Sequence, residues 1–253
     1  MSDKITRRRI LTTGFAAATG IAGLEVAAKI ADHYGLLAPD HQGPFGAGEA
    51  LTYGAQRLLT ARHSMAREFS RSEISALSPV NHAAPDYDPY QRLAFDNFRD
   101  FRLYVDGLVA RPMSFSLADL KGLPSRTNIT ELNCEEGWSY IAAWSGVPLS
   151  LVLNLVGVNA KAKWVVFYPF NDFWNSIDIS EALHPQTLLA HAMNGEDLSP
   201  DHGAPIRLRI PRQLGYKNTK YIARISVTDS LKNIGDGTGS ASPEIGYSWY
   251  AGI

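Results

Sequence analysis

Three features of the sequence predict an α+β fold with mixed β-sheet. Runs with strand periodicity outnumber helical ones, and the helical stretches are short and scattered. Leu188–Met193 leads into Asn194-Gly195, a strong hairpin signal between antiparallel strands. The chain has 253 residues, 45% hydrophobic and 19% charged, enough to bury a sizeable core without staples. Its net charge of -1 provides no global field for nucleic acid or anionic lipid, so any basic site must be local. One cysteine excludes an intrachain disulfide.

The N-terminus reads as a signal rather than as structure. Lys4, Arg7, Arg8 and Arg9 precede a modest apolar stretch, Ile10–Leu24, which Glu25 and Lys29 interrupt soon after. That makes a poor membrane span. Thr6-Arg7-Arg8-Arg9-Ile10-Leu11 is similar to a twin-arginine export signal. Residues 1–31 are therefore expected to direct export to the periplasm or another extracytoplasmic space. Cleavage at an Ala-rich step and retention as an anchor both fit; a basic-capped amphipathic helix is the plainer alternative. The twin-arginine route carries folded proteins, often already loaded with a cofactor.

Residues 32–60 hold Pro39, Gly43, Pro44, Gly46, Gly48 and Gly54, and read as a linker to a domain over 61–253. Residues 61–95, with Pro79, Pro85 and Pro89, are expected to wrap the surface. Phe101–Asp106 alternates cleanly as a strand with Phe101, Leu103 and Val105 inward, and Gly107 turns the chain. Ser116 with Asp119 makes a capping box for a short helix that Pro124 ends. Thr127–Asn133 is a buried strand delivering Cys134. Leu149–Val156 is a helix stopped by Gly157. Lys163–Tyr168 is β-rich. Ser180 is placed as the cap of a short helix at 181–183. Ile206–Ile210 and Thr219–Thr228 supply further strands, and the Gly/Ser-rich residues 235–242 read as coil.

Two stretches carry chemistry. Cys134 ends a strand on an acidic, Gly-containing turn, Glu135-Glu136-Gly137-Trp138. A lone cysteine is commonly a small buried hydrophobe. A free thiol in an oxidising compartment is a liability unless buried or ligated. A nucleophile would want a histidine and cationic neighbours, whereas two glutamates raise a thiol's pKa; a metal ligand would be held as thiolate. The second stretch, Asp201–Lys220, concentrates Arg207, Arg209, Arg212, Lys217 and Lys220 in a nearly neutral chain. It suits an anionic phosphate, or else is a solvated strand face.

Thr130–Ser139, His184-Pro185, His202-Gly203-Ala204-Pro205-Ile206-Arg207 and Gly215-Tyr216-Lys217-Asn218-Thr219-Lys220 together resemble the sulfite oxidase family of molybdopterin enzymes. The similarity spans Phe95–Thr228 and is greatest to small exported bacterial members such as the protein-methionine-sulfoxide reductase catalytic subunit. The resemblance implies a sulfite oxidase-type molybdopterin-binding domain. It implies Cys134 as the catalytic molybdenum ligand, His202 and Arg207 as molybdopterin contacts, and Asn218, Thr219 and Lys220 as the phosphate turn. Arg99 and Pro169 are implied as further cofactor contacts. His202 follows the sulfite oxidases rather than the reductases, which have asparagine there, and the turn after Cys134 matches neither pattern. The family's C-terminal dimerisation domain is not expected, and a monomer is.

The expected activity is a two-electron oxygen-atom transfer that reduces a small or protein-bound sulfoxide-type substrate. The sequence has no C-x-x-C-H haem signal. A separate electron-transfer partner is therefore implied: a membrane haem protein, a cytochrome or a quinone-linked subunit. A sulfite dehydrogenase and a non-catalytic binding or assembly module are the alternatives. The Tyr168–Trp174 loop is expected to line the substrate mouth, and His184 and His191 to be structural.

Overall fold

The computed structural model describes residues 30, 37–39, 46–59, 64–81, 83–171 and 173–253. Almost all of the expected export signal lies outside the described residues. The chain divides into two units, Met1–Ala61 and Arg62–Ile253. In the first, Gly46–Leu59 forms helix α1 where composition reads as linker. Each glycine lowers helix propensity by only about 1 kcal/mol, and the Ala and Leu residues between them are good helix formers. Glu49 in the first turn and Arg57 in the last complement the helix dipole.

The second unit is built on two sheets. One contains β1 (Arg102–Gly107), β2 (Met113–Ser116), β5 (Trp164–Pro169), β6 (Asn175–Asp178) and β10 (Ile222–Thr228) in the order β2-β1-β10-β5-β6. Only β1 and β10 pair in parallel; the other neighbours are antiparallel, so the sheet is mixed as predicted. The other contains β3 (Arg126–Asn133), β4 (Ser139–Pro148), β7 (Leu188–Met193), β8 (Glu196–Asp197) and β9 (Arg207–Arg209). Here β3, β4 and β7 are antiparallel neighbours, and β8 and β9 pair different stretches of β7. Helices α2 (Asp88–Phe95), α3 (Leu117–Gly122), α4 (Leu149–Val156) and α5 (Ile179–Ala182) are short.

Local signals set most of these elements. Phe101, Leu103 and Val105 are buried while Tyr104 faces out, as alternation requires. Each such buried side chain stabilises the fold by about 1.5–3 kcal/mol. Ser116 accepts from the Asp119 N–H and the Asp119 carboxylate accepts from the Ser116 N–H, closing the capping box of α3. Gly157 caps α4 at φ 69°. Asn194 and Gly195, both at positive φ, join β7 to β8. The cap of α5 differs from expectation. Asp178, at the extended end of β6, accepts from the Glu181 N–H, which leaves Ser180 inside the helix.

A hydrophobic cluster runs through both sheets, from Leu103, Ile225 and Val227 to Ala142, Trp144 and Leu189. β4 bulges against β7 between Ser145 and Gly146. A Cβ at Gly146 would meet the Leu189 carbonyl oxygen and lie 2.5 Å from the Ala190 Cα, backbone atoms that cannot swing aside. Gly146→Ala is expected to destabilise the fold by about 2–3 kcal/mol, seen as a lower urea midpoint with unchanged m-value.

Candidate functional site

The β3–β4 hairpin presents the cysteine. Asn133 and Ser139 are the last paired residues, and Cys134–Trp138 form the loop between them. The Cys134 N–H donates to the Trp138 carbonyl at 2.9 Å, and the Gly137 N–H, at φ 88°, donates to the Cys134 carbonyl at 3.1 Å. The thiol is thus fixed at the end of a paired strand. It is buried and lines a cleft of about 550 Å³. Burial foremost, with the charges of Glu135 and Glu136, pushes its pKa up to about 11. At neutral pH the metal-free thiol is protonated, so an unassisted thiolate nucleophile does not fit. A metal ion would displace that proton.

Opposite lie the basic strand and turn. Gly215 permits their approach: a Cβ there would meet the Cys134 Cα at 3.3 Å and the Asn133 carbonyl at 3.4 Å. At Gly203, φ 104°, a Cβ would crowd the stems of Lys220 and Arg207 at 3.0 and 3.1 Å. His202, Arg207, Asn218, Thr219 and Lys220 all line the same cleft as Cys134, and so does Pro169. The structure thus brings together all but one of the site residues read from sequence.

The exception is Arg99. Its side chain is 78% exposed and pairs with Asp96 at 3.2 Å, away from the cleft wall. The turn after α2 puts Asn97 and Phe98 at positive φ. It sends Phe98 inward against Tyr90, 5.6 Å between ring centroids, and leaves Arg99 pointing out.

Arg207 and Arg209 are not a solvated face. They are 3% and 1% exposed, stacked over Trp144 at 5.0 and 5.4 Å. Arg207 donates to the carbonyls of His202 (2.9 Å) and Asn218 (3.2 Å). Arg209 donates to the Asn218 side-chain oxygen, the Thr130 hydroxyl and the Glu131 carbonyl. Among the described residues neither has a carboxylate in an ion pair, and each Nε is buried without a partner. Burial lowers both pKa values, and Arg207 lowers that of Arg209 further. Burial and Arg207 likewise bring Lys220 down to about 8. The two buried guanidiniums, without a carboxylate partner among the described residues, are costly unless an anion arrives.

The remaining contacts shape the site. Asn218 lines the cleft, but its amide is satisfied within the fold: Oδ1 accepts from Arg209 and the Ile210 N–H, and Nδ2 donates to the Gln213 and Leu214 carbonyls. It acts as a strut for the turn. His202 Nε2 faces the Ser78 carbonyl at 3.2 Å and so carries the proton, leaving Nδ1 to accept from Ser199 Oγ at 2.9 Å. Burial lowers its pKa, which keeps the ring neutral at pH 7. Pro169, Asn171 and Phe173 of the expected mouth loop line the cleft. Phe170 instead packs on Tyr90 and Phe101. His184 is buried against the Ser64 carbonyl and His191 lies near Ser125; neither lines the cleft.

Sequence reasoning missed two walls: Pro79, Val80, Asn81, Ala83 and Pro85 from the segment before α2, and Ser242, Ile245 and Tyr247 from the tail. The tail did carry a signal, the aromatic run Tyr247-Ser248-Trp249-Tyr250 after a Gly/Ser-rich stretch. Trp249 and Tyr250 are buried, and Tyr247 stacks on Tyr216 at 5.0 Å.

The family described as "Oxidoreductase molybdopterin binding domain" matches residues 91–233. The chain belongs to this family. The sulfite oxidase resemblance is borne out, and the cofactor of this fold is a molybdopterin. A candidate protein-methionine-sulfoxide reductase subunit, YedZ1, of Azospira oryzae is 43% identical over 152 residues, 60% of this chain and 56% of the relative. The protein-methionine-sulfoxide reductase catalytic subunit MsrP of Xanthomonas axonopodis pv. citri is 36% identical over 143 residues, 50% of this chain and 44% of the relative. The chain thus spans about half the length of the curated relatives it matches. The crystal structure of the sulfane dehydrogenase SoxCD from Paracoccus pantotrophus superposes with a TM-score of 0.50 at 27% identity, over 52% of this chain and 39% of that one.

The site of this molybdopterin-binding domain fits its cofactor. A thiol facing the cleft suits a soft metal centre. Buried Arg207 with an unpartnered Nε, beside Lys220, suits the anionic phosphate of the pterin. Arg207→Met keeps the volume and removes the uncompensated charge. Relief of that charge is offset by the two carbonyls left without a donor, so apoprotein stability is expected to change by no more than about 1 kcal/mol while molybdenum content falls, read by melting temperature and metal analysis on the same preparation.

Proposed function

We propose that this chain is the catalytic component of an exported molybdopterin enzyme that reduces a sulfoxide-type substrate. The observation that carries the reading is the single cleft that sets the Cys134 thiol against Arg207, Thr219 and Lys220. When bound, the cofactor supplies two-electron oxygen-atom transfer. The residues of this chain bind and orient it. Cys134 holds the metal from the rigid hairpin end, Arg207 and Lys220 hold the phosphate, and Asn218 and Gly203 keep the basic turn close to the strand. The neutral His202 donates to the Ser78 carbonyl and so ties the segment before α2 to the cleft.

In the overall reaction a sulfoxide takes two electrons and two protons, its S–O bond breaks, and the oxygen leaves as water. The electrons come from a separate partner; with one cysteine and no haem motif, this chain offers no second redox centre by sequence. Both bacterial relatives are subunits by name, which supports a partnered enzyme. A membrane haem protein is the partner best matched to a chain exported by the twin-arginine signal at Arg7, Arg8 and Arg9 into the periplasm.

The test is to purify the protein from a host that makes the cofactor, quantify molybdenum, and assay sulfoxide reduction against sulfite oxidation with dye electron carriers. Stoichiometric metal with sulfoxide-dependent dye oxidation is expected. Sulfite-dependent dye reduction without sulfoxide activity would replace this reading with a sulfite dehydrogenase.

A further inference from the structure

The cleft is lined by charges of both signs. Arg207 and Lys220 come from the basic strand and turn, and the hairpin loop places Glu135 and Glu136 beside the thiol. Glu135 Oε2 lies 3.5 Å and Glu136 Oε2 4.0 Å from the Cys134 Sγ. Neither carboxylate enters an ion pair among the described residues. What each has is a neutral donor: the Tyr216 backbone N–H at 3.2 Å for Glu135, and the Trp138 indole N–H at 2.9 Å for Glu136. Those bonds aim the carboxylates without cancelling their charge. Partly exposed apolar side chains complete the mouth: Val80, Phe173, Ile245 and Tyr247.

On the reading above, Arg207 and Lys220 are matched to the anionic phosphate of the cofactor. Once they are neutralised, the charge an incoming molecule meets near Cys134 is that of the half-buried Glu135 and the exposed Glu136, which acts over about a Debye length. We propose that Glu135 and Glu136 fix the charge class of the substrate. Oxidised sulfur groups carried next to a cation, such as a sulfoxide flanked by lysine, arginine or a free ammonium, are drawn in, and anions such as sulfite are turned away. This rests on the sulfoxide reading above. Trp138 and Tyr216 serve it as positioning residues, because their N–H groups hold the carboxylates at the thiol.

The test uses the molybdenum-loaded enzyme and two peptides of equal length, each with one methionine sulfoxide, flanked by lysines or by glutamates. At low ionic strength the lysine peptide should have a kcat/KM about tenfold higher, mostly through KM, and the ratio should shrink to about twofold in 0.5 M salt. The double variant E135Q/E136Q should bring the ratio close to one. In parallel, calorimetry with the corresponding methionine sulfone peptides reads binding without turnover and should show the same preference in Kd. Equal or reversed preference in the parent enzyme, or a preference untouched by the double variant, overturns the proposal. If neither sulfoxide is reduced while the sulfone affinities still follow charge and respond to E135Q/E136Q, the sulfoxide reading falls and the charge assignment stands.

Discussion

Replacing Cys134 by serine is expected to abolish turnover while leaving the fold intact. The backbone bonds of the hairpin loop, Cys134 N–H to Trp138 carbonyl and Gly137 N–H to Cys134 carbonyl, do not involve the sulfur. The substitution changes one buried atom, and its stability cost is about 1 kcal/mol, or about 2–4 °C in melting temperature for a unit of this size. Its chemical effect is far larger. Loss of an outer-shell partner at a metal site typically costs 10–100-fold, and loss of a protein ligand itself should exceed about a hundredfold. The thiolate-to-metal absorption of the loaded enzyme should vanish in the same variant. Molybdenum content should fall less than activity, because the proposed phosphate contacts of Arg207 and Lys220 are left in place. A serine variant that keeps both its spectrum and its turnover would sink the ligand assignment.

The sequence made the hairpin legible and hid its surroundings. Period-two burial at Phe101, Leu103 and Val105, the Ser116–Asp119 box and the Asn194-Gly195 turn are encoded within a few residues, so local chemistry sufficed. Ile206–Ile210 shows where that logic stops. Alternation predicts arginines on a wet face, yet Arg207 and Arg209 are as buried as Leu208. They are inside because Trp144 and the Asn218 turn cover them, and those contacts come from elsewhere in the chain. The same holds for the cleft walls at 79–85 and 242–247. Pro-rich and Gly/Ser-rich stretches show only that regular structure ends there, not where the chain goes next. Arg99 fails for a different reason: its neighbours Phe98 and Phe101 take the inward positions in a turn with two left-handed residues, and the charged side chain is left to solvent. The site residues were found through spaced motifs rather than periodicity, and those motifs reach the cleft except for His184-Pro185 and the Arg99 stretch.

Asn175→Ala should be the most damaging substitution outside the cleft, and it should act on cofactor retention as well as stability. Asn175 is fully buried at the start of β6. Its Nδ2 donates to the Thr219 hydroxyl at 3.1 Å and to the carbonyls of Lys217 and Tyr216 at 3.3 and 3.4 Å. Its Oδ1 accepts from Lys217 Nζ at 2.7 Å, the Ser176 N–H at 2.9 Å and Ser240 Oγ at 3.1 Å. One amide thus ties the turn at 216–219 and the tail to the sheet. Lys217 is itself 1% exposed, with its ammonium over Trp249 at 5.0 Å and bonded to the Ser176 carbonyl. Alanine removes the shortest bond to a buried cation and leaves carbonyls facing a cavity. A loss of about 3–5 kcal/mol is expected, a fall of about 10 °C or more in melting temperature. Asn175→Asp separates the two roles. Aspartate still accepts from Lys217, and as a carboxylate balances its charge, so stability should largely return. It has no N–H to give Thr219, Lys217 and Tyr216, and its oxygen would repel their carbonyls, so the turn should loosen. The aspartate variant is therefore expected to melt near the parent yet retain several-fold less molybdenum after dialysis. Parent-like retention would show that Asn175 stabilises the fold without positioning the turn.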